Sequence, residues 1–391
     1  MNVNIFLFAV NLFVYVLCAA FFMIIPMLTR KSLLFGVRIP PEEALCAEAS
    51  AMKKNYMFSC LTGAAIILII CIAQFIFLPR LTLAATLYLP LFLIPVYLIA
   101  FIPNWKKVVN LKEEKNWAVS SAVFAETKSS HTRGDLSLIP VIWYALGFII
   151  VIITIVLSIN RYPQLPEIIP VHFDAAMQPD RWEQKSILSV FMMPLYNLGF
   201  LILMFLVSIA IVKAKLQLDP NNARVSFAQH QVYRKRIGHA IGFLTLTLNI
   251  MLAVINLMIL YPEDPVWLLG GGKFFFWFII IVTIVMIAPI IIIYIITGQG
   301  GCKVKIKPED IEDINPNEND SLKTKVPGKG DDKYWLLGMF YYNPEDPAVI
   351  VEARFGTKLN FNYARLPVKI GIVIALIAFI AIYVWSTQML L

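Results

Sequence analysis

The fold is decided by a run of residues without formal charge at 187–212, which reads ILSVFMMPLYNLGFLILMFLVSIAIV. A helix rises about 1.5 Å per residue, so about 20 apolar residues cross the roughly 30 Å hydrocarbon layer of a membrane. This run is long enough to do so. It therefore predicts a transmembrane helix and not the amphipathic helix of a water-soluble domain.

Further charge-free windows repeat this signal along the chain, at residues 1–29, 55–79, 81–105, 136–160, 237–262, 274–302 and 370–391. Together they predict an all-α polytopic membrane protein with about eight transmembrane helices. The composition agrees, because 59% of the 391 residues are hydrophobic and 15% are charged. It disfavours a soluble enzyme, a secreted disulfide scaffold, a disordered protein and a free nucleic-acid binder.

Lys and Arg residues are distributed unevenly between the two sides that eight crossings define. Segments 30–54, 106–133, 213–236 and 303–369 hold 28 of the 33 basic residues, and the other connections hold five. Basic loops stay in the cytoplasm. We therefore expect these segments beside anionic lipid headgroups of the cytoplasmic face, with both termini extracytoplasmic and no nucleic-acid partner. Residues 222–236 are expected to form a basic helix lying at the inner surface.

The chain divides into four parts. Residues 1–302 are predicted to form a seven-helix membrane region, in which residues 160–187 are an extracytoplasmic motif loop. Residues 303–332 are polar and are predicted to be a flexible cytoplasmic linker. Residues 333–367 form a small membrane-adjacent cytoplasmic segment with two short strands around a proline-bounded turn, and residues 368–391 form the last transmembrane helix.

The motif loop is the most distinctive short stretch of the chain. Its prolines restrict the backbone to extended and turn conformations. The candidate residues, for ligand binding or for structure, are Pro170, His172, Phe173, Asp174, Pro179, Asp180, Arg181, Trp182 and Lys185.

One imidazole and two carboxylates lie close together in this loop, at His172, Asp174 and Asp180. They could hold a divalent cation or act as an acid and a base. The alternative is a rigid turn in which Asp174 caps local amides and Asp180 pairs with Arg181 or Lys185. The spacing lacks the two-histidine pattern of zinc motifs, so we expect no metal, no cofactor and no catalytic residue.

The central portions of the predicted helices contain no Asp, Glu, Lys or Arg, which disfavours a proton-driven transporter. Thr245, Asn249 and Asn256 lie along one face of the sixth helix. This face is expected to point into the bundle, where the side chains make interhelical hydrogen bonds or line a polar cavity. We favour hydrogen bonds, because such stripes are common in packed bundles.

The motif loop reads IPVHF at residues 169–173 and PDRW at residues 179–182, followed by Lys185. It resembles the pattern P-x-H-F…G-x-P-D-x-W…K of a bacterial family, domain of unknown function 1648. This chain has Met177 where the family usually has glycine. The domain also occurs in SdpI-type proteins, which confer immunity to a secreted peptide toxin and take part in signalling its presence. The resemblance implies a protein of the bacterial cytoplasmic membrane.

A second motif reads NPEDP at residues 343–347 and RFG at residues 354–356. It is similar to an uncharacterised bacterial domain that often accompanies the first. Arg354, Lys358 and Arg365 could contact lipid phosphates or a regulatory partner at the inner surface. The alternative, which we favour, is a small structural cap docked on the helices, because some forty residues bury little core alone.

These observations favour a non-enzymatic multi-pass inner-membrane protein that acts in peptide-toxin immunity, envelope sensing or signalling of the SdpI-like kind. Its expected partners are the lipid bilayer and an extracellular peptide or regulatory protein. One alternative is a channel or carrier for a small solute, built around the proline-containing helices. Another is a metal-dependent membrane enzyme that uses the motif loop.

Overall fold

A computed structural model describes residues 3–79, 82–117, 124–125, 136–173, 179–218, 223–261, 265–307, 331–354 and 359–390. Most of these residues are helical. The helices are α1 (Val3–Leu28), α2 (Ala47–Phe77), α3 (Thr82–Glu114), α4 (Val141–Arg161), α5 (Ile187–Lys213), α6 (Ala223–Leu260), α7 (Pro265–Thr297) and α8 (Leu366–Leu390).

Among the described residues, α1 to α7 are long and apolar enough to cross a membrane. The prediction of a multi-pass helical membrane protein is confirmed at this level. The helix α8 covers the eighth charge-free window, but its apolar stretch in the part searched is Leu366–Ala378, which is shorter than a crossing. The eighth crossing stays a prediction.

The basic segment 222–236 belongs to α6, which runs for 38 residues and is therefore about 57 Å long. His230 and Arg234 in this segment are 2% and 4% exposed. The expectation of a helix lying at the inner surface is wrong for these side chains, because they face neighbouring helices and the C-terminal segment. The buried face of this segment therefore makes protein contacts.

The helices pack in two groups of three, α1 to α3 and α4 to α6, and α7 contacts α6 and α1. The first group is centred on buried aromatic residues, with Tyr56 and Phe101 packed around Phe35 from the loop after α1. In the second group, α4 and α5 both lie against α6. The long helix α6 is therefore the element on which the second group is assembled.

In the described part of the chain the strands form five antiparallel pairs. They are β1 (Leu33–Leu34) with β2 (Val37–Arg38), β3 (Phe124–Ala125) with β6 (Leu216–Gln217), β4 (Ile168–Phe173) with β5 (Pro179–Gln184), β7 (Trp335–Leu336) with β8 (Phe340–Tyr341), and β9 (Ile350–Glu352) with β10 (Leu359–Phe361).

Two ends of the bundle can be defined by these strands. The pair β4–β5 lies at what we call the hairpin end, against the C-terminal end of α6. Residues 331–354 and 359–365 form what we call the cap, with Trp335, Tyr341 and Val351 at its centre. The cap docks at the opposite end, which we call the cap end.

The cap is joined to loops that are distant in sequence. Arg354 is fully buried and donates a hydrogen bond to the carbonyl oxygen of Gly36 at 3.2 Å, and it also pairs with Asp332. Lys112, beyond the last apolar turn of α3, binds the other oxygen of Asp332 at 2.7 Å. Of the predicted flexible linker, residues 308–330 lie outside the described residues.

Candidate functional site

The motif loop folds into the hairpin β4–β5. Pro170 lies opposite Trp182 and His172 lies opposite Arg181, with register shifts before and after His172. Proline has no amide donor and a shift breaks the regular ladder, so the strands bend and twist here. Phe173 lies opposite Pro179 at the far end of the pair.

His172 and Asp180 form a close pair on this hairpin. The Nδ1 atom of His172 lies 2.5 Å from Oδ1 of Asp180, and the two side chains are 58% and 45% exposed. An ionised carboxylate only accepts hydrogen bonds, so Nδ1 carries the proton and donates it. In the neutral ring Nε2 then keeps a lone pair that can accept a hydrogen bond from a ligand.

The other charged residues of the motif have different partners from those expected. Asp180 pairs with His172 and not with Arg181 or Lys185. Arg181 lies 3.8 Å from Glu183, and the Nζ atom of Lys185 donates to the carbonyl oxygen of Leu165 at 2.9 Å. These contacts are local to the motif loop, and the His172–Asp180 pair is the closest contact between its described ionisable side chains.

Asp174, the third candidate ligand of a cation, lies outside the described residues. Within the described ranges, no group of three His, Cys, Asp or Glu residues could hold a metal ion. The structure therefore brings together His172 and Asp180 of the predicted trio. Trp182 is 52% exposed on β5.

The base of the hairpin is fixed to three helices. Leu165 and Ile169 are buried with Leu260 of α6 and Val190 of α5. Arg161, the last residue of α4, strengthens this contact. Its Nε atom donates to the carbonyl oxygen of Leu260 at 3.2 Å, and its guanidinium lies 4.7 Å from the ring centre of Tyr261. The base of the hairpin is thus held by contacts with α4, α5 and α6.

The predicted polar face of α6 is buried between α4 and α5. Thr245, Asn249 and Asn256 are each at most 1% exposed. The Nδ2 atom of Asn197 donates to the backbone oxygen of Asn249 at 3.2 Å, and the Nδ2 atom of Asn256 donates to Ser158 Oγ at 3.3 Å. Both contacts cross between helices. Among the described residues, neither polar side-chain atom of Asn249 has a hydrogen-bond partner.

A charged cluster that the sequence analysis missed lies at the cap end. Arg30 from the end of α1 pairs with Glu352 of β9, and His230 of α6 lies 2.9 Å from the same carboxylate. Gln299 connects the pieces, because its Oε1 accepts from the amide of Arg30 at 3.2 Å and its Nε2 donates to the carbonyl oxygen of Ala353 at 2.8 Å. The cluster joins α1, α6, α7 and the cap.

The proton positions of His230 follow from its neighbours. Its Nδ1 atom lies 2.6 Å from the carbonyl oxygen of Ser226 and must donate to it. In the neutral ring Nε2 is therefore an acceptor, and Nη2 of Arg30 donates to it at 2.8 Å. A hydrogen bond from Nε2 to Glu352 forms only when the ring takes up a second proton. Nε2 of His230 thus lies beside a donor in Arg30 and an acceptor in Glu352, while Nδ1 is bound to Ser226.

The three predicted inner-surface residues have different environments. Arg354 is 0% exposed and lies 5.0 Å from the ring centre of Trp335, so it cannot reach lipid phosphates. The expected surface contact of Arg354 is wrong, because its guanidinium holds the cap to its neighbours. Arg365 donates to the carbonyl oxygens of Asp346 and Pro344 at 2.6 and 3.2 Å. Lys358 lies outside the described residues.

Few features of the sequence predict the charged cluster of Arg30, His230 and Glu352 at the cap end. His230 and Arg234 are four residues apart and so share a helix face, which is the one readable signal. The partners of His230 come from positions 30 and 352, and no local pattern connects such distant residues.

A model of the family described as a domain of unknown function, DUF1648, matches residues 149–198. These residues cover the last part of α4, the hairpin and the first part of α5. No curated protein matches the chain, and no solved structure matches it. The segment of the chain that is similar to DUF1648 is therefore the hairpin together with the two helices that hold it.

Proposed function

We propose that the chain is a non-enzymatic protein of the bacterial cytoplasmic membrane that meets an extracellular peptide at the hairpin and responds at the cap, in immunity, envelope sensing or signalling of the SdpI-like kind. One observation carries this proposal. The helix α6 touches the hairpin base at Leu260 and places His230 against the carboxylate of Glu352 in the cap. A displacement at one end of this helix therefore reaches the other.

The form of the hairpin supports a peptide as the ligand. Within the described residues β5 pairs only with β4, and its residues from Asp180 to Gln184 are exposed. An exposed edge strand offers backbone donors and acceptors to an extended peptide. The exposed ring of Trp182 and the His172–Asp180 pair add an aromatic surface and polar groups for specificity.

The distribution of charge supports the orientation. The cap end gathers the basic segments after α1, α3, α5 and α7, and such segments stay in the cytoplasm. The hairpin then faces the extracytoplasmic side, where a secreted peptide would arrive. Both termini are proposed to lie on that side, and α8 is proposed to be the eighth crossing.

Deletion of the gene tests this proposal directly. We expect the deletion strain to become at least fourfold more sensitive to one or more members of a panel of membrane-active peptides. Wild-type protein should restore resistance, whereas His172→Ala and Asp180→Asn should not. Glu183→Gln is the matched control, because Glu183 is an equally exposed acid on the same strand. Unchanged sensitivity across the panel, or full rescue by His172→Ala, contradicts the proposal.

A further inference from the structure

A cavity of about 360 Å³ lies at the cap end between α5, α6 and α7. Its walls are apolar and come from all three helices, with Val207 and Ile211 on α5, Ile237 and Ile241 on α6, and Ile290 on α7. The helices α5 and α7 pack mainly on α6 and not on each other. The space between them has the size of a small-molecule pocket and the lining of a hydrocarbon site.

Arg234 lines the same cavity. It is 4% exposed, and its Nη2 atom donates to the carbonyl oxygen of Ala214 at 2.5 Å. In the described part of the chain no carboxylate is in direct ion-pair contact with it, although the negative charge of Glu352 acts on it across the cavity. Glu352 also borders the cavity, and its carboxylate is paired with Arg30.

Arg30 and Arg234 therefore share the single negative charge of Glu352. A buried cation whose charge is only partly balanced is unfavourable, because water no longer solvates it. An anionic group of a ligand would supply the balancing charge and accept the remaining guanidinium donors. Ile237 and Ile241 lie one and two helical turns further along the same face of α6 as Arg234. A ligand bound at Arg234 would therefore run along an apolar wall.

We propose that this cavity binds a single acyl chain with an anionic head, the head at Arg234 and the chain between Val207, Ile241 and Ile290. Such a ligand is either a free fatty acid or one chain of an anionic phospholipid. The volume of the cavity suits one chain. This inference does not depend on peptide recognition at the hairpin, since the two sites lie at opposite ends of α6.

Binding of radiolabelled dodecanoate to the full-length protein in phosphatidylcholine nanodiscs tests the proposal. We expect saturable binding that weakens at least tenfold in Arg234→Gln. Arg236→Gln is the matched control and should change the affinity by less than twofold, because Arg236 donates to Thr297 and does not line the cavity. Dodecanol, which has the chain without the charge, should bind at least tenfold more weakly than dodecanoate to the wild type.

Ile241→Trp provides a second variant, which fills the cavity and leaves Arg234 in place. It should abolish dodecanoate binding even if Arg234→Gln fails to fold. Nanodiscs that contain phosphatidylglycerol distinguish the two possible sources of the acyl chain, a free fatty acid and an anionic phospholipid. Loss of dodecanoate binding in them indicates a phospholipid chain, and unchanged binding indicates a free fatty acid. Absence of saturable binding in phosphatidylcholine nanodiscs, equal affinity for dodecanol, or full binding by Ile241→Trp would overturn the proposal.

Discussion

Gly36 and Gly338 pack backbone to backbone where the cap meets the loop after α1. Both have positive φ angles, +78° and +70°, which residues other than glycine rarely adopt. A Cβ atom on Gly36 would collide with the carbonyl group of Gly338, and one on Gly338 would lie 2.6 Å from the carbonyl oxygen of Phe35. The cap therefore contacts the loop at two positions, Gly36 and Gly338, where there is no room for a side chain.

Substitution of Gly36 by alanine should therefore loosen the cap. Backbone strain alone costs about 1–3 kcal/mol, and the collision adds to it. We expect a lower Tm in detergent and faster proteolysis within residues 331–365. Gly199→Ala is the control, because Gly199 is helical and a Cβ there meets nothing within 4 Å. Equal behaviour of the two variants would contradict the close approach.

The Arg30–Glu352 pair should contribute substantially to stability. Both side chains are nearly buried, at 12% and 13% exposure. Glu352→Gln leaves Arg30 without its counter-charge, which costs about 3–5 kcal/mol for buried pairs. The corresponding change at an exposed pair, Glu48→Gln opposite Lys115, should lower the stability much less, because water screens the interaction. Thermal unfolding of both variants measures the difference, and similar shifts in Tm would refute the argument.

Arg161 should control the rigidity of the hairpin. Arg161→Ala removes the hydrogen bond to Leu260 and the contact with the ring of Tyr261, together about 1–2 kcal/mol. We expect faster hydrogen–deuterium exchange of the β4–β5 amides. Arg181→Ala should leave exchange almost unchanged, since Arg181 is exposed and lies 3.8 Å from Glu183. If both substitutions accelerate exchange equally, Arg161 is not an anchor.

The two buried asparagines of α6 should respond differently to leucine. Asn249→Leu removes two polar atoms for which the described part of the chain offers no hydrogen-bond partner, so Tm should stay equal or rise. Asn256→Leu breaks the bond to Ser158 and should cost about 1 kcal/mol or less.

Flux of small solutes into proteoliposomes that contain Asn249→Leu tests the carrier alternative. If the protein is a carrier whose pathway passes Asn249, wild-type protein moves a solute and this variant does not. We expect no flux from either protein, because the proposed function needs none.

The helices were the elements of the fold that the sequence predicted best. Lipid offers the backbone no hydrogen-bond partner, so a long charge-free run must satisfy its own amides and becomes a helix. For this reason the helices α1 to α7 could be predicted from their charge-free windows without any tertiary information. The prolines of the motif loop predicted extended and turn conformations, and the structure forms the hairpin β4–β5 there.

Contacts between individual side chains could not be predicted from the sequence in the same way. Asp180 has a positive neighbour at Arg181, yet it pairs with His172 because the bend of the hairpin brings those two side chains together. Arg354 follows a short strand and resembles an exposed surface cation, yet the docked cap buries it against Gly36.

The sequence by itself determined that this is a multi-pass helical membrane protein with one distinctive loop, because hydrophobicity acts locally along the chain. Only the tertiary structure decided that Arg30, His230 and Glu352 meet and that Arg234 borders a largely apolar cavity. Ion pairs form wherever folding brings charges within a few ångströms, and that distance bears no relation to separation along the chain.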